Sequence, residues 1–395
     1  MNDVQLLFIV LALIYGYECA CWVGRESSVF RTWLGSRWQI VHPGSLVSNQ
    51  SGGFILAPPL PPFGTLLMTT EGSLLLSPKA VGLGQVFDSG APPAVTGRCF
   101  LWDKINTIEV RGKKVFLNHE LALKAASPVL AASIGETLRE IHQAKPGERE
   151  GLIQQHLRRS FETSAINERL RNFKTGTRRI RVATNALFCD LFVLSPALIG
   201  MFGFHKCWLL LVILAFGLTS IIAVLFHRAH KALFLKAEDE RFTHFIIILL
   251  SPATAIRALD VLSVPLLATY HPLAVASVLC SKRHFIEQAE SWVRQSRYAV
   301  RPGNRSEEPI ARETERYWCA LREKTFENFL RKNGIDSEQL IEPPMPVDET
   351  CRSYCPRCRA QFTRLDGSCG DCGGRSLMPL RNPQVSQPAK KALLP

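Results

Sequence analysis

The chain has 395 residues, of which 47% are hydrophobic and 21% charged, and its formal net charge is +13. The length allows two or three domains, and so ordinary an apolar fraction excludes a chain mostly embedded in lipid. The basic balance points to lipid headgroups or nucleic acid, and beside hydrophobic spans it reads first as Lys and Arg holding the cytoplasmic side.

Residues 1–24 are expected to form an N-terminal transmembrane anchor. Val4–Val23 is apolar, follows Met1-Asn2-Asp3 rather than a basic leader, and has Arg25, Arg31 and Arg37 on its far side. No small-residue cleavage site follows, so the segment reads as an uncleaved anchor with the N-terminus outside.

Residues 38–143 read as β with a closing helix. Phe54-Ile55-Leu56, Thr65–Met68 and Ser73–Leu76 are short apolar runs between Gly and Pro clusters. A hairpin is expected from Ile105–Val110 through Arg111-Gly112-Lys113 into Val115–Leu117. A helix should follow, capped by Ser127, with Pro128 first and Leu130, Ile134, Leu138 and Ile141 on one face. Strands closed by a C-terminal helix resemble, over residues 50–143, the order in pleckstrin-homology-like domains.

Residues 146–183 are expected to be a basic amphipathic helix. Ile153, Leu157, Phe161, Ala165 or Ile166, Leu170 and Phe173 form a stripe, and ten basic residues oppose four acidic ones between Lys145 and Arg181. Such a helix fits a lipid surface, or it packs on its own domain with a solvated basic face.

Residues 184–230 are expected to be a transmembrane hairpin. Ala186–Gly203 is apolar apart from Asp190, and Cys207–Phe226 is twenty residues without a formal charge. Twenty helical residues span about 30 Å, a bilayer's hydrocarbon core. Basic residues flank both ends, at Arg178-Arg179-Ile180-Arg181 and His227-Arg228 through Lys231, which places both ends in the cytoplasm and Phe204-His205-Lys206 outside.

Residues 243–280 are apolar but carry Arg257, Asp260, Pro252, Pro265 and Pro272. Interfacial or re-entrant helices fit this better than a clean span. A soluble helical region at 281–341, ending at Gly334, a linker at Glu342–Glu349 and a disordered tail at 382–395 complete the chain.

Of twelve cysteines, too few for a disulfide scaffold, Cys19, Cys21, Cys189, Cys207 and Cys280 lie in apolar runs as small hydrophobes. Residues 350–381 hold Cys355-Pro356-Arg357-Cys358, ten intervening residues and Cys369-Gly370-Asp371-Cys372. This resembles a zinc ribbon of the rubredoxin-like zinc-binding fold. A hairpin turning at Asp366-Gly367 is expected to bring the pairs together, so that Cys355, Cys358, Cys369 and Cys372 bind one structural zinc ion. So small a module draws its folding energy from the metal. Arg359 stands where family ribbons often carry Gly, and Gly373 keeps the second such position. Cys351 is expected to be spare. Redox dithiols and iron–sulfur ligation share the C-x-x-C element. Zinc thiolates need reduced cysteines, which favours the cytoplasm and an odd number of crossings.

The chain is thus expected to be a multi-domain α+β membrane protein of the cell membrane. It would have an N-terminal anchor helix, a transmembrane hairpin, a β-rich cytoplasmic domain, interfacial helices and a C-terminal zinc ribbon. The leading functional expectation is a non-enzymatic scaffold on the lipid bilayer that recruits a protein partner or senses the membrane. One alternative is an enzyme acting on a lipid or lipid-linked substrate through Asp190, Arg257, Asp260 or His271. Another is tethered nucleic-acid binding through Arg357, Arg359, Arg364 and Arg375. His227, His230, Glu238, Asp239, Glu240 and His244 are a weaker metal-enzyme candidate, since such enzymes need several His boxes and this chain has ten scattered His. No catalytic motif is present.

Overall fold

The structure, a computed structural model, describes residues 3–22, 28–31, 38–41, 65–67, 70–71, 73–85, 94–125, 128–234, 238–263, 266–267, 269–298, 308–372 and 374–381. The expected strand at 54–56, the Ser127 cap, Gly373 and the tail from 382 lie outside these residues. Helix α1 spans Asp3–Trp22. Strands β1 (Ser28–Arg31), β2 (Trp38–Val41) and β3 (Thr65–Leu67) form a small antiparallel sheet in the order β2-β1-β3.

The β-rich part is two further antiparallel sheets. Strands β5 (Ser73–Leu76), β6 (Ala80–Gln85) and β7 (Ala94–Leu101) form one meander. Strands β4 (Thr70–Glu71), β8 (Ile108–Arg111), β9 (Lys114–Leu117) and β10 (Glu120–Ala125) form the other, in the order β4-β10-β9-β8. The expected hairpin is present from Ile108, with Arg111 opposite Lys114 and Gly112 at φ +57°, a conformation glycine adopts without a Cβ penalty. Trp102, fully buried, donates its indole N–H to the Ser77 carbonyl at 2.8 Å. Helix α2 (Pro128–Gln143) covers this core with Leu130, Leu138 and Ile141, and Gly135 lets it close on β8.

The stretch expected as one basic helix is two: α3 (Pro146–Arg159) and α4 (Thr163–Gly176). Ser160 ends the first, its hydroxyl donating to the Leu157 carbonyl at 2.6 Å. The apolar stripe is divided between two cores. Ile153 enters the β core, while Phe161 and Ile166 enter a helical core that Leu157, Leu170 and Phe173 also join. The apolar face is therefore occupied by the chain itself, and only the basic face is free to meet lipid.

Among the described residues, helix α5 (Arg178–Phe202) and helix α6 (Phe204–Leu233) are the two long and apolar enough to cross a membrane. A single residue, Gly203 at φ +81°, reverses the chain between them. Helix α5 carries one π turn, Asp190–Leu194, where the Ser195 N–H reaches back to the Asp190 carbonyl. Pro196 follows at once, and its missing N–H and bulky ring disfavour a regular turn at that point. The large side chains Val193, Met201, Trp208, Leu209, Val212 and Ile213 face outward. A soluble core helix would bury such residues; an outward apolar band is what lipid satisfies. Val4 and Leu7 of α1 pack beside Ile199, Cys207 and Leu211, so the start of α1 lies at the Gly203 end of the hairpin.

Helices α7 (Glu238–Leu250), α8 (Pro252–Ile256) and α9 (Ala258–Ser263) fold back on α5 and α6, burying Ile248, Ile256 and Leu262. Ser251 caps α8 by accepting the Thr254 N–H at 3.2 Å, with Pro252 in the first turn. Helix α10 (Pro272–Leu279) belongs elsewhere. Its Leu273–Ala276 stretch is buried with Phe285, Ala289, Phe329 and Leu330 of α11 (Lys282–Tyr298) and α12 (Pro309–Lys332). Part of the apolar 243–280 segment is therefore the core of a helical body, not an interfacial element. Helix α12 also reaches the β part, where Thr314 and Ser77 share a hydrogen bond of 3.0 Å. Gly334, at φ +70°, terminates α12, with the Ile335 N–H returning to the Leu330 carbonyl at 3.0 Å. A short helix α13 (Ser337–Leu340) leads to the ribbon.

Candidate metal centre

The C-terminal module is built from five two-residue strands. Strands β11 (Ser353–Tyr354) and β12 (Gln361–Phe362) pair antiparallel, so Cys355-Pro356-Arg357-Cys358 is the turn of their hairpin. Strands β13 (Ser368–Cys369) and β14 (Arg375–Ser376) do the same around Cys369-Gly370-Asp371-Cys372. Strand β15 (Met378–Pro379) adds to the other side of β11. Each knuckle thus has its own hairpin, which corrects the expectation of one hairpin joining the two. Gly367, at φ +127°, still turns the connecting segment, and its carbonyl accepts the Leu377 N–H at 3.0 Å.

The two knuckles meet. The four Sγ atoms of Cys355, Cys358, Cys369 and Cys372 all lie within 4.8 Å of one another, and those of Cys358 and Cys369 are 3.8 Å apart. Bonds of about 2.3 Å to a tetrahedral zinc ion place sulfurs about 3.8 Å apart, so this donor set fits such an ion with modest contraction. Cys355, Cys369 and Cys372 are buried and Cys358 half-buried, and Cys351 is outside the cluster. The Cys351 amide is held by the Asp348 carboxylate at 3.2 Å.

Burial and crowding set the thiols against one another. Burial pushes the Cys358 thiol up to about 11. Burial and the neighbouring Cys358 and Cys355 sulfurs push Cys372 up as well. Cys355 goes the other way: burial opposes its ionisation, but the amides of Cys358 and Arg357, together with the Cys358 and Cys372 thiols, lower it. A divalent ion removes this conflict by neutralising the crowded thiolates. Four thiolates fill a tetrahedral shell, so a zinc ion here is structural, with no position left for substrate.

The first knuckle is fixed to the helical body by Arg294 of α11, which is 2% exposed. Its guanidinium donates to the carbonyls of Pro356 at 3.2 Å, Leu340 at 3.2 Å and Glu342 at 3.3 Å, and to the Glu290 carboxylate at 2.9 Å. Arg359 pairs with the same Glu290 at 2.6 Å. This gives a reason for Arg where ribbons often carry Gly. Arg359 adopts the left-handed conformation, φ +64°, that Gly would take freely, and its side chain joins the ribbon to α11.

The arginines of the nucleic-acid alternative are engaged within the chain. Arg359 holds Glu290, Arg375 lies over the Tyr298 ring at 5.3 Å, and Arg364 lies over Phe362 at 5.4 Å. The residues of the enzyme alternative do not share one core. His271 stacks on Phe161 at 4.3 Å in the helical core and caps α10 through the Leu273 N–H at 3.3 Å. Asp190 is buried at the π turn and Arg257 is buried between Ile256 and Ala258, beside the core shared by α5, α6, α8 and α9. The Asp260 side chain lies outside the described residues. His227 meets the Phe245 ring edge-on, and His230 and His244 flank Phe226. Among the described residues the four cysteines are the only group of three or more His, Cys, Asp or Glu that converges for a metal. Sequence reasoning missed Arg294 and Glu290, whose local pattern is an ordinary i,i+4 helix pair. No family model matches the chain, and no curated protein or solved structure is significantly similar to it.

Proposed function

We propose that this chain is a multi-pass protein of the cell membrane that displays its β-rich part, helical body and zinc ribbon on the cytoplasmic side as a binding scaffold. The observation that carries this reading is the pairing of two features. The hairpin turns large apolar side chains outward, while Arg294 locks the ribbon to a helical body that runs through α4 into the hairpin's basic end. A ribbon held this way has a fixed orientation, and its closed metal shell serves shape rather than turnover. Around it Met345, Val347, Leu365 and Met378 stay exposed, large apolar residues of the kind that a protein partner covers.

The test places a photo-crosslinking amino acid at Leu365 of the full-length protein in its native membranes. A discrete adduct is expected, and it should vanish in Cys358→Ser, which removes one thiolate. Absence of any adduct at Leu365 and at Met378 overturns the scaffold reading.

A further inference from the structure

Between α2, α4 and the paired ends of α5 and α6 lies a cavity of about 910 Å³. Arg169, Arg178, Arg179 and Arg228 line it, against a single carboxylate, Glu136. Leu225, Leu233 and Phe234 supply its apolar wall. The cavity therefore joins a cationic cluster to a hydrophobic surface.

Its position fixes the chemistry further. Arg178 and Arg179 open the first long apolar helix, and Arg228 lies near the end of the second. One helical turn along α5, on the same face, Val182 is two-thirds exposed. One and two turns back from Arg228, Val224 and Ile221 are also exposed. Arg178, Arg179 and Arg228 thus stand at the head of outward-facing apolar tracks. Arg169 is already oriented: its guanidinium donates to the Leu266 carbonyl and the Thr269 hydroxyl, each at 3.3 Å, and lies over the Tyr270 ring at 5.0 Å. Guanidinium groups bind phosphate through paired, charge-assisted hydrogen bonds, and an amphiphile with a phosphate head and acyl chains matches both halves of this surface.

We propose that this cavity binds an anionic phospholipid, with its headgroup phosphate on Arg178, Arg179 and Arg228 and its chains along Val182, Val224 and Ile221. The proposal rests on the membrane reading above. It adds a lipid headgroup site to what would otherwise be a simple anchor, and the bound lipid would tie α2 of the β-rich part to the hairpin.

The full-length protein is taken from membranes in mild detergent and examined by native mass spectrometry with added phosphatidylglycerol, phosphatidylcholine or inorganic phosphate. Wild type should retain about one phosphatidylglycerol per chain, at least about tenfold tighter than phosphatidylcholine. Arg178→Ala/Arg179→Ala/Arg228→Ala should lose that preference. Lys324→Ala/Arg331→Ala/Lys332→Ala, which removes the same charge from α12, should keep it. Equal retention of the two lipids by wild type overturns the proposal whatever the variants do. So does displacement of the lipid by millimolar inorganic phosphate, or an equal loss in the control variant. Carbonate washing of membranes separates the two claims. A chain that stays in the pellet yet shows no headgroup preference overturns the lipid site alone, and a chain that is released overturns the membrane reading and the site together.

Discussion

Arg294 is a buried guanidinium whose charge is met by one carboxylate and three carbonyls. Truncation would leave those carbonyls without a donor inside the interface. Arg294→Ala should therefore destabilise the docked state by about 3 kcal/mol, seen as faster proteolysis in the 342–349 linker while zinc stays bound. Arg359→Gly should be mild. It relieves a left-handed conformation costing about 1 kcal/mol and gives up a half-exposed ion pair of similar worth, so melting should hardly change. At the cluster, Cys358→Ser should abolish stoichiometric zinc binding, whereas Cys351→Ser should leave it intact. Zinc occupancy should also fall with acid. Bound thiolates carry no proton, while the unfolded thiols titrate near about 8.5, so the unfolded state takes up more protons and the metal-bound fold loses stability as pH drops. Zinc release measured by a chromogenic chelator between neutral pH and about pH 5 checks the sign. The clustering of the four cysteines was legible in the sequence because C-x-x-C is local. Arg294 was not, because its carbonyl partners lie 46, 48 and 62 residues further along the chain.

Elements carry a different lesson. The stripe from Ile153 to Phe173 has the period of one helix, and periodicity alone cannot register a break that keeps the apolar phase. The chain breaks at Ser160, and Ile153 enters the β core while Leu157, Phe161 and Ile166 enter the helical one. Likewise Leu273–Ala276 is as apolar as a membrane segment, and only its neighbours show it to be the core of a helical body. The β part was more readable, since alternation and Gly112 locate the β8–β9 hairpin, but the covering of β8 by α2 depends on Gly135. A Cβ there would collide with the Val110 side chain. Gly135→Ala should cost about 1–3 kcal/mol through overpacking, lowering the melting temperature of the full-length protein in detergent. Gly151→Ala, where a Cβ meets nothing within 4 Å, is the matched control and should hold or raise it.

At the scale of the whole molecule the arrangement of charge and helix ends supports one orientation. The hairpin brings Arg178, Arg179 and Arg228 to a single cavity, while its far end holds Gly203, His205 and Lys206. The start of α1 packs at that far end, through Val4 and Leu7 against Ile199 and Cys207. If the basic end faces the cytoplasm, as the bias of Lys and Arg predicts, the N-terminus and Gly203 would both lie outside and three helices would cross. The 13 residues of α7 reach about 20 Å, too short for a fourth crossing, and Pro252 then starts α8 back along α5 and α6. Metal binding by the four cysteines would favour the same side by an independent route, because a four-cysteine site persists where thiols stay reduced. Reporter fusions after Arg37, at His205 and after Gly334 separate the possibilities. Cytoplasmic signals are expected from the first and third and an external signal from the second. An external signal after Gly334 would mean that α7 to α9 complete a crossing, and it would move the ribbon to a side where its thiols oxidise.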